Sequence, residues 1–271
     1  MLVIGKDTVD LKGTWQYKVG SAFSTEENSE AIFRPNRQPT ALFNAMVAPL
    51  IYYTIKGICW YQGEANTGNP AEYRLLQPAM IHDWRKQWNE PTLPFIFAQL
   101  PGYLDYKYLP SESKWAWMRE SQAASLEIPN TAMAVTIDLG EWNDIHPENK
   151  KDVGERMALA AMNMVYKEKL VSSGPLVDTA IVYNDRIEIT FKHIGSGLTT
   201  SDGEPPADFA IAGSDKKFVW AKTRIDGNKI IVWSPQVANP AFVRYAWADN
   251  PVNANVINKE GLPASPFRTD K

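Results

Sequence analysis

The chain has 271 residues, with 28 Lys and Arg against 31 Asp and Glu for a formal charge of −3. At about one domain per 100–200 residues it admits one large domain or two modest ones, each able to close a core. The charges form no long single-sign block and give no grip on nucleic-acid phosphates; the lone Cys59 excludes an internal disulfide, and with three histidines it supplies no Cys/His zinc set.

No apolar run reaches the roughly 18–20 residues of a membrane-spanning helix, because Asn44, Lys56 and Gln62 interrupt the longest stretch. Residues 1–10 lack the apolar region and small-residue cleavage site of a secretory signal. Ten tryptophans and eleven tyrosines provide side chains with a broad apolar face and a polar tip. Such side chains suit sugar-facing clefts, although most are expected to fill the core.

Residues 1–40, broken by Gly5, Gly13, Gly20, Pro35 and Pro39, read as an arm or linker. Thr40 is placed to cap a helix whose stripe is Leu42, Ala45, Met46 and Leu50, with Pro49 kinking or ending it. Residues 55–61 form a short apolar run that predicts a buried strand. A second helix follows, with Asn69 as cap, Pro70 in the first position, Glu72 in the first turn, and Tyr73, Leu76, Met80, Ile81, Trp84 and Trp88 at helical spacing.

A strand at 94–100, a Trp-rich helix at 114–126 and a strand at 131–138 come next, and a helix is predicted from Pro147. Its apolar face is Val153, Met157, Ala160, Ala161 and Met164, and Asp152 and Arg156 are set to pair one turn apart. Strands alternating with helices imply a parallel sheet covered on both faces. Beyond Gly174-Pro175 the pattern changes to short β-runs at 180–183, 186–191, 217–222, 229–233 and 241–247, with turns at Asn184-Asp185 and Asp226-Gly227-Asn228. Residues 250–271, rich in Pro and Asn, are predicted to run over the surface.

In open α/β sheets ligands bind beyond the carboxyl ends of the strands, and two segments lie there. One is residues 60–66: Gly63 permits close backbone approach, Gln62 and Asn66 can donate amide hydrogens to a developing oxyanion, and Glu64 sits between them. The other is residues 138–147, in which His146 follows Asp144 by two residues. A histidine so placed can act as a general base oriented by a carboxylate, with Asp138 and Glu141 as rivals to Asp144. His82 and His193 read as structural.

The segments Ala41-Leu42-Phe43-Asn44-Ala45-Met46, Lys56-Gly57-Ile58-Cys59-Trp60-Tyr61-Gln62-Gly63-Glu64-Ala65-Asn66, Asp144-Ile145-His146-Pro147 and Val153-Gly154-Glu155-Arg156, in this order, resemble the sialate O-acetylesterase family of SGNH (GDSL-like) hydrolases. Residues 209–213, 243–247 and 261–268 resemble that family's C-terminal portion, so the likeness runs from about Leu11 onward. It implies an α/β fold: the later part of an SGNH-hydrolase, flavodoxin-like three-layer sandwich over 41–172, with an appended antiparallel β-rich region over 173–271.

The resemblance also implies a metal-free and cofactor-free serine esterase that removes O-acetyl groups from sugars, typically sialic acids. His146 would be the general base, Asp144 its orienting carboxylate, and Gln62, Gly63, Glu64 and Asn66 the oxyanion and substrate side. The pattern departs from the family in two places. SGNH enzymes at large place the acid three residues before the histidine, where this chain has Asn143, and the Gly-Gln-Ser-Asn-Met-like nucleophile segment does not occur.

Ser21, Ser121, Ser125 and Ser214 lie in no such context. The expected partners are therefore an O-acetylated sugar and an upstream segment of the same protein, or another chain, that supplies the serine, with little turnover by this chain alone. A sheet lacking its front strands is expected to associate through its open edge. Family members are commonly exported, to the periplasm or the extracellular space. Two other functions fit the residues: a non-catalytic carbohydrate-binding or scaffold role, and a hydrolase holding a hard cation on Asp138, Glu141, Asp144 and His146.

Overall fold

The computed structural model describes residues 2–4, 7–9 and 38–270, and the chain divides into two compact units, Met1–Leu50 and Ile51–Lys271. In the first unit, β1 (Leu2–Ile4) pairs antiparallel with β2 (Asp7–Val9), a hairpin within the segment read as an arm. Residues 1, 5, 6 and 10–37 of that arm lie outside the described residues.

The helix predicted from Thr40 takes a different form. Thr40 has φ 64°, outside the extended backbone of a cap, and the chain winds as a π-helix over Phe43–Val47 and a 3₁₀ turn over Ala48–Leu50. A proline that lacks an N–H and crowds the preceding turn accounts for the altered winding. The stripe is not buried, since Leu42, Met46 and Leu50 are all exposed.

The second unit begins with the parallel sheet β3 (Ile58–Trp60), β4 (Phe95–Ala98) and β5 (Thr131–Ala134), in that order across the sheet. Among the described residues β3 is paired on one side only. The strand period of two divides the β4 side chains between the faces. Phe95 and Phe97 pack with Ile81 of α1 (Pro70–Gln87), whereas Ala98 packs with Val153 of α3 (Lys150–Met164). α1 lies against α2 (Lys114–Ala124), so the α/β part has the three layers expected.

The α1 start is as predicted, with Pro70 in the first turn and the Asn69 side chain accepting from the Glu72 N–H. Two details differ. Leu76 is exposed, and the helix buries Gln77 and Arg85, the latter donating to the carbonyls of Leu93, Pro129 and Asn130. α3 starts at Lys150 rather than Pro147, because Asn149 supplies the cap. The predicted Asp152–Arg156 pair does not form: Arg156 clasps Asp138 through both terminal nitrogens at 2.5 and 2.7 Å, and Asp152 bonds Asn149.

The β-rich part contains two four-stranded antiparallel sheets. One has the order β11 (Lys222–Asp226), β12 (Lys229–Trp233), β7 (Arg186–Lys192), β6 (Leu176–Tyr183); the other has β10 (Val219–Trp220), β9 (Phe209–Ala212), β13 (Phe242–Tyr245), β15 (Phe267–Arg268). β8 (Leu198–Thr200) pairs with β14 (Val256–Asn258). The hairpin turns fall at Asn184-Asp185 and Gly227-Asn228, as the sequence predicts.

Residues 250–270 do not run over the surface. Asn250, Val256, Asn258, Ala264, Ser265, Phe267 and Asp270 are buried, and the asparagines make that possible by serving main-chain groups that would otherwise be stranded. Asn255 accepts from the Ala207 N–H and donates to the Pro205 carbonyl, and Asn258 accepts from the Leu262 N–H and donates to Ser173.

The α/β and β-rich parts are tied by Arg119 of α2, which is fully buried. Its guanidinium donates to the carbonyls of Leu100 (2.8 Å) and Pro101 (2.6 Å) after β4, and of Ala248 (2.7 Å) and Asp249 (2.9 Å) after β13. A lysine has no planar fork with which to reach all four acceptors. Arg119→Lys is therefore expected to lose about 3 kcal/mol or more, the cost of leaving buried carbonyls unpaired, read from the urea unfolding midpoint.

Asp208, before β9, is raised by burial to about 6. The folded state thus holds a proton that the unfolded chain releases near the ordinary carboxylate value, so stability falls as pH rises from about 4 to 6. Asp208→Asn is expected to be more stable than the parent above pH 6 and equal to it near pH 4, measured by thermal unfolding across that range.

Candidate active site

β3, β4 and β5 are parallel, so the segments that leave their carboxyl ends lie on one rim. The β3 segment turns immediately through a 3₁₀ turn, Glu64–Asn66. Gln62 is fixed on several sides. Its main-chain carbonyl accepts from the Tyr73 hydroxyl (3.1 Å) and the Gln122 amide (3.2 Å), and its side-chain Oε1 accepts from Tyr73 (3.2 Å). Its Nε2 donates to Asn66 Oδ1 at 2.8 Å.

With its oxygen occupied by Gln62, Asn66 has its amide nitrogen as the remaining polar group, and among the described residues that nitrogen has no protein acceptor. Gly63 is buried, and a Cβ there would stand 3.0 Å from Gln122 Nε2 and 3.3 Å from Leu100 Cδ2. Only a residue without a side chain fits without displacing that support. Glu64 is half-buried beside Tyr61, whose hydroxyl is pushed up to about 12 by burial and then by the Glu64 charge.

The β5 segment carries the histidine. Gly140 presses on the chain after β4, where an added Cβ would collide with the Gly102 carbonyl. The Leu104 N–H then donates to the Trp142 carbonyl at 2.9 Å. His146 is exposed at the tip, before the buried Pro147.

The three carboxylates that could orient the histidine have separate duties. Asp144 Oδ1 accepts from the main-chain N–H of His146 at 2.7 Å, Glu141 accepts from the Glu148 N–H at 2.8 Å, and Asp138 is paired with Arg156. Among the described residues none of the three hydrogen-bonds the imidazole, and no group of three or more His, Cys, Asp or Glu side chains converges as a metal site. The hard-cation reading thus lacks a shared centre.

Two contacts relate the β3 and β5 segments. Lys150, at the start of α3, holds its Nζ 5.0 Å from the Tyr61 ring centre. Ile145 packs on the cluster of Tyr73, Leu100, Trp115 and Met118, whose Tyr73 also grips Gln62. Of the described serines, Ser121 and Ser125 are buried, with Ser121 donating to the Pro70 carbonyl, and Ser214 is exposed in the turn after β9; Ser21 lies outside the described residues. His82 and His193 are both exposed.

Sequence reasoning missed Tyr73, Gln122, Arg119 and Arg156 as supports of the rim. Gln122 had a legible signal: an amide at the core spacing set by Trp115 and Met118, which requires a buried hydrogen-bonding duty.

A three-layer α/β hydrolase core of the SGNH kind, with an amide-bearing turn and a histidine on one rim, defines the class. A family model, "Carbohydrate esterase, sialic acid-specific acetylesterase", matches residues 29–163, and the chain belongs to the sialate O-acetylesterase family. It is 36% identical over 258 residues to sialate O-acetylesterase of Rattus norvegicus, covering 84% of this chain and 46% of that protein. Over 156 residues it is 36% identical to the Homo sapiens sialate O-acetylesterase, covering 51% of this chain and 29% of the relative.

A crystal structure of a carbohydrate acetylesterase from Xanthomonas citri superposes with a TM-score of 0.82 at 44% identity, over 87% of this chain and 55% of that one. The chain therefore spans about half the length, or less, of these relatives.

The close contact of Gly140 with Gly102 yields a test of how the rim is held. Gly140→Ala is expected to lower stability by about 1–3 kcal/mol, the usual cost of overpacking. It should also broaden the amide resonances of residues 138–147 in nuclear magnetic resonance spectra.

Proposed function

We propose that the chain is the histidine-bearing part of a serine carbohydrate O-acetylesterase that acts on O-acetylated sialic acids. The observation that carries this reading is the common rim: the turn that frees the Asn66 amide and the segment that presents His146 leave β3 and β5, the two parallel strands that flank β4, at the same end, within a fold shared with a carbohydrate acetylesterase. The serine comes from an upstream segment of the same protein or from another chain, which docks along the side of β3 that has no strand beside it among the described residues.

In the reaction, His146 takes the serine proton as the oxygen attacks the acetyl carbonyl. The tetrahedral oxyanion accepts from the Asn66 amide, which Gln62 holds in place, and the Gly63 backbone borders the same space. Collapse breaks the bond to the sugar oxygen, which receives the proton from the His146 imidazolium. Water then attacks the acetyl-enzyme with His146 again as base, releasing acetate and restoring the serine. Asp144 positions His146 through its main-chain N–H, and Glu64 and Tyr61 line the substrate side.

The test compares hydrolysis of p-nitrophenyl acetate and an O-acetylated sialic acid by this chain and by a longer version bearing the serine segment. The longer version is expected to turn over both substrates, while the chain alone retains no more than the residual catalysis, about 10³- to 10⁴-fold over water, that serine hydrolases keep without a triad member. In the longer version His146→Ala should cost about 10²- to 10⁴-fold, and Asn66→Ala about 10²- to 10³-fold in kcat. Activity unaffected by His146→Ala would sink the reading; sugar binding without hydrolysis in either version would establish the non-catalytic role instead.

A further inference from the structure

A second concave site lies where the loop after β4 meets the β-rich part. It is a cavity of about 560 Å³ whose walls include Tyr106, Asp208, Trp220, Lys222, Trp233 and Asn253, a volume within the range of about 300–1,000 Å³ usual for small-molecule sites. Its aromatic rings are fixed before any ligand arrives. The Trp220 indole N–H donates to the Tyr108 carbonyl at 2.8 Å, which leaves the ring 37% exposed with its polar tip already satisfied. The Tyr106 hydroxyl accepts from the Asn253 amide at 3.2 Å, and Arg224 holds its guanidinium 5.9 Å from the Trp233 ring centre.

Among these rings sits a carboxyl group with an unmet need. Asp208 Oδ2 is buried without a hydrogen-bond partner of its own, while the main chain and side chain of Asn253 approach the carboxyl and offset part of the effect of burial. Burial also raises the Asp208 carboxyl to about 6, so the group gains from any donor that approaches it. The ammonium of Lys222 on the same wall offsets the Asp208 charge, and Arg224 stands behind the Trp233 ring outside the lining.

Flat apolar faces beside a hydroxyl acceptor and an amide, with one acid and one ammonium in the lining, suit a ring with an apolar face and hydroxyls at its rim. We propose that this cavity binds a neutral pyranoside, seated against the Trp220 and Trp233 rings with Asp208 accepting from its hydroxyls.

The site is connected to the catalytic rim. Tyr106 lies two residues after Leu104, which is bonded by its N–H to Trp142 in the histidine segment and by its carbonyl to the buried Asn250. One end of this loop borders the proposed chemistry and the other forms a wall of the cavity, so a glycan held in the cavity by a non-reacting residue would be anchored by the loop that shapes the rim. The inference deepens the esterase reading, but its test reads binding alone.

The experiment is titration of the full chain with lactose, with N-acetylneuraminic acid as a second arm, following the indole N–H signals of Trp220 and Trp233 by nuclear magnetic resonance. Lactose is expected to shift both signals saturably with a Kd of roughly millimolar order, and Trp220→Ala to weaken it about tenfold. No saturable shift at these two indoles would overturn the proposal. So would a shift produced by N-acetylneuraminic acid but not by lactose, or an affinity unchanged in both Trp220→Ala and Tyr106→Ala. Esterase activity in the serine-bearing version is scored separately: hydrolysis without lactose binding removes the cavity assignment alone, and lactose binding without hydrolysis removes the esterase reading alone.

Discussion

The guanidinium of Arg119 replaces water for four main-chain carbonyls at once, two from the chain leaving β4 and two from the chain leaving β13. A charge so deeply placed is costly unless its donors are all engaged. Here the planar fork distributes them over four acceptors, of which Pro101 also accepts from the Trp115 indole N–H and Asp249 from the Tyr103 N–H. The position of Pro101 is thereby set, Gly102 follows at once, and Gly102 is the surface against which Gly140 rests. The shape of the histidine segment descends from a residue with no role in chemistry.

A similar logic governs the C-terminal stretch. Arg244 joins Asp270 at 2.6 Å and Glu112 at 2.8 Å while lying over the Phe218 ring, and Arg268 joins Glu120 at 3.0 Å while lying over Trp117. Both arginines bind carboxylates from the segment around α2, so β13 and the last strand, β15, are fastened to the α/β layers by ion pairs set beside aromatic faces. Desolvation at Asp270 is outweighed by Arg244, which holds the carboxyl below its ordinary value.

Much of this was legible in the residues, and the gaps have physical causes. The cap at Asn69 and the strand at 94–100 were readable because local chemistry fixes them: a side-chain acceptor and a first-turn proline in one case, an unbroken apolar run in the other. The winding after Thr40 was not readable, since Pro49 permits either a kink or a widened turn and the sequence does not choose. Nor was the burial of 250–270, because an asparagine reads as a surface residue until its distant partners, such as Ala207 for Asn255, are in place. At the site, Asn66 and His146 stood out from their position after strands. The Asp138–Arg156 clasp depended on a bond between a loop and a helix that spacing favoured pairing otherwise.

The chain's one thiol, Cys59, is exposed in the middle of β3, one residue from the strand's end and three before Gln62. The protein around it partly desolvates the sulfur and raises its pKa, so at neutral pH it stays chiefly in the thiol form. A spin label or fluorophore attached there would occupy a unique address on the side of β3 that, among the described residues, has no strand beside it. It would signal directly when another strand comes to lie alongside, with no engineered cysteine needed.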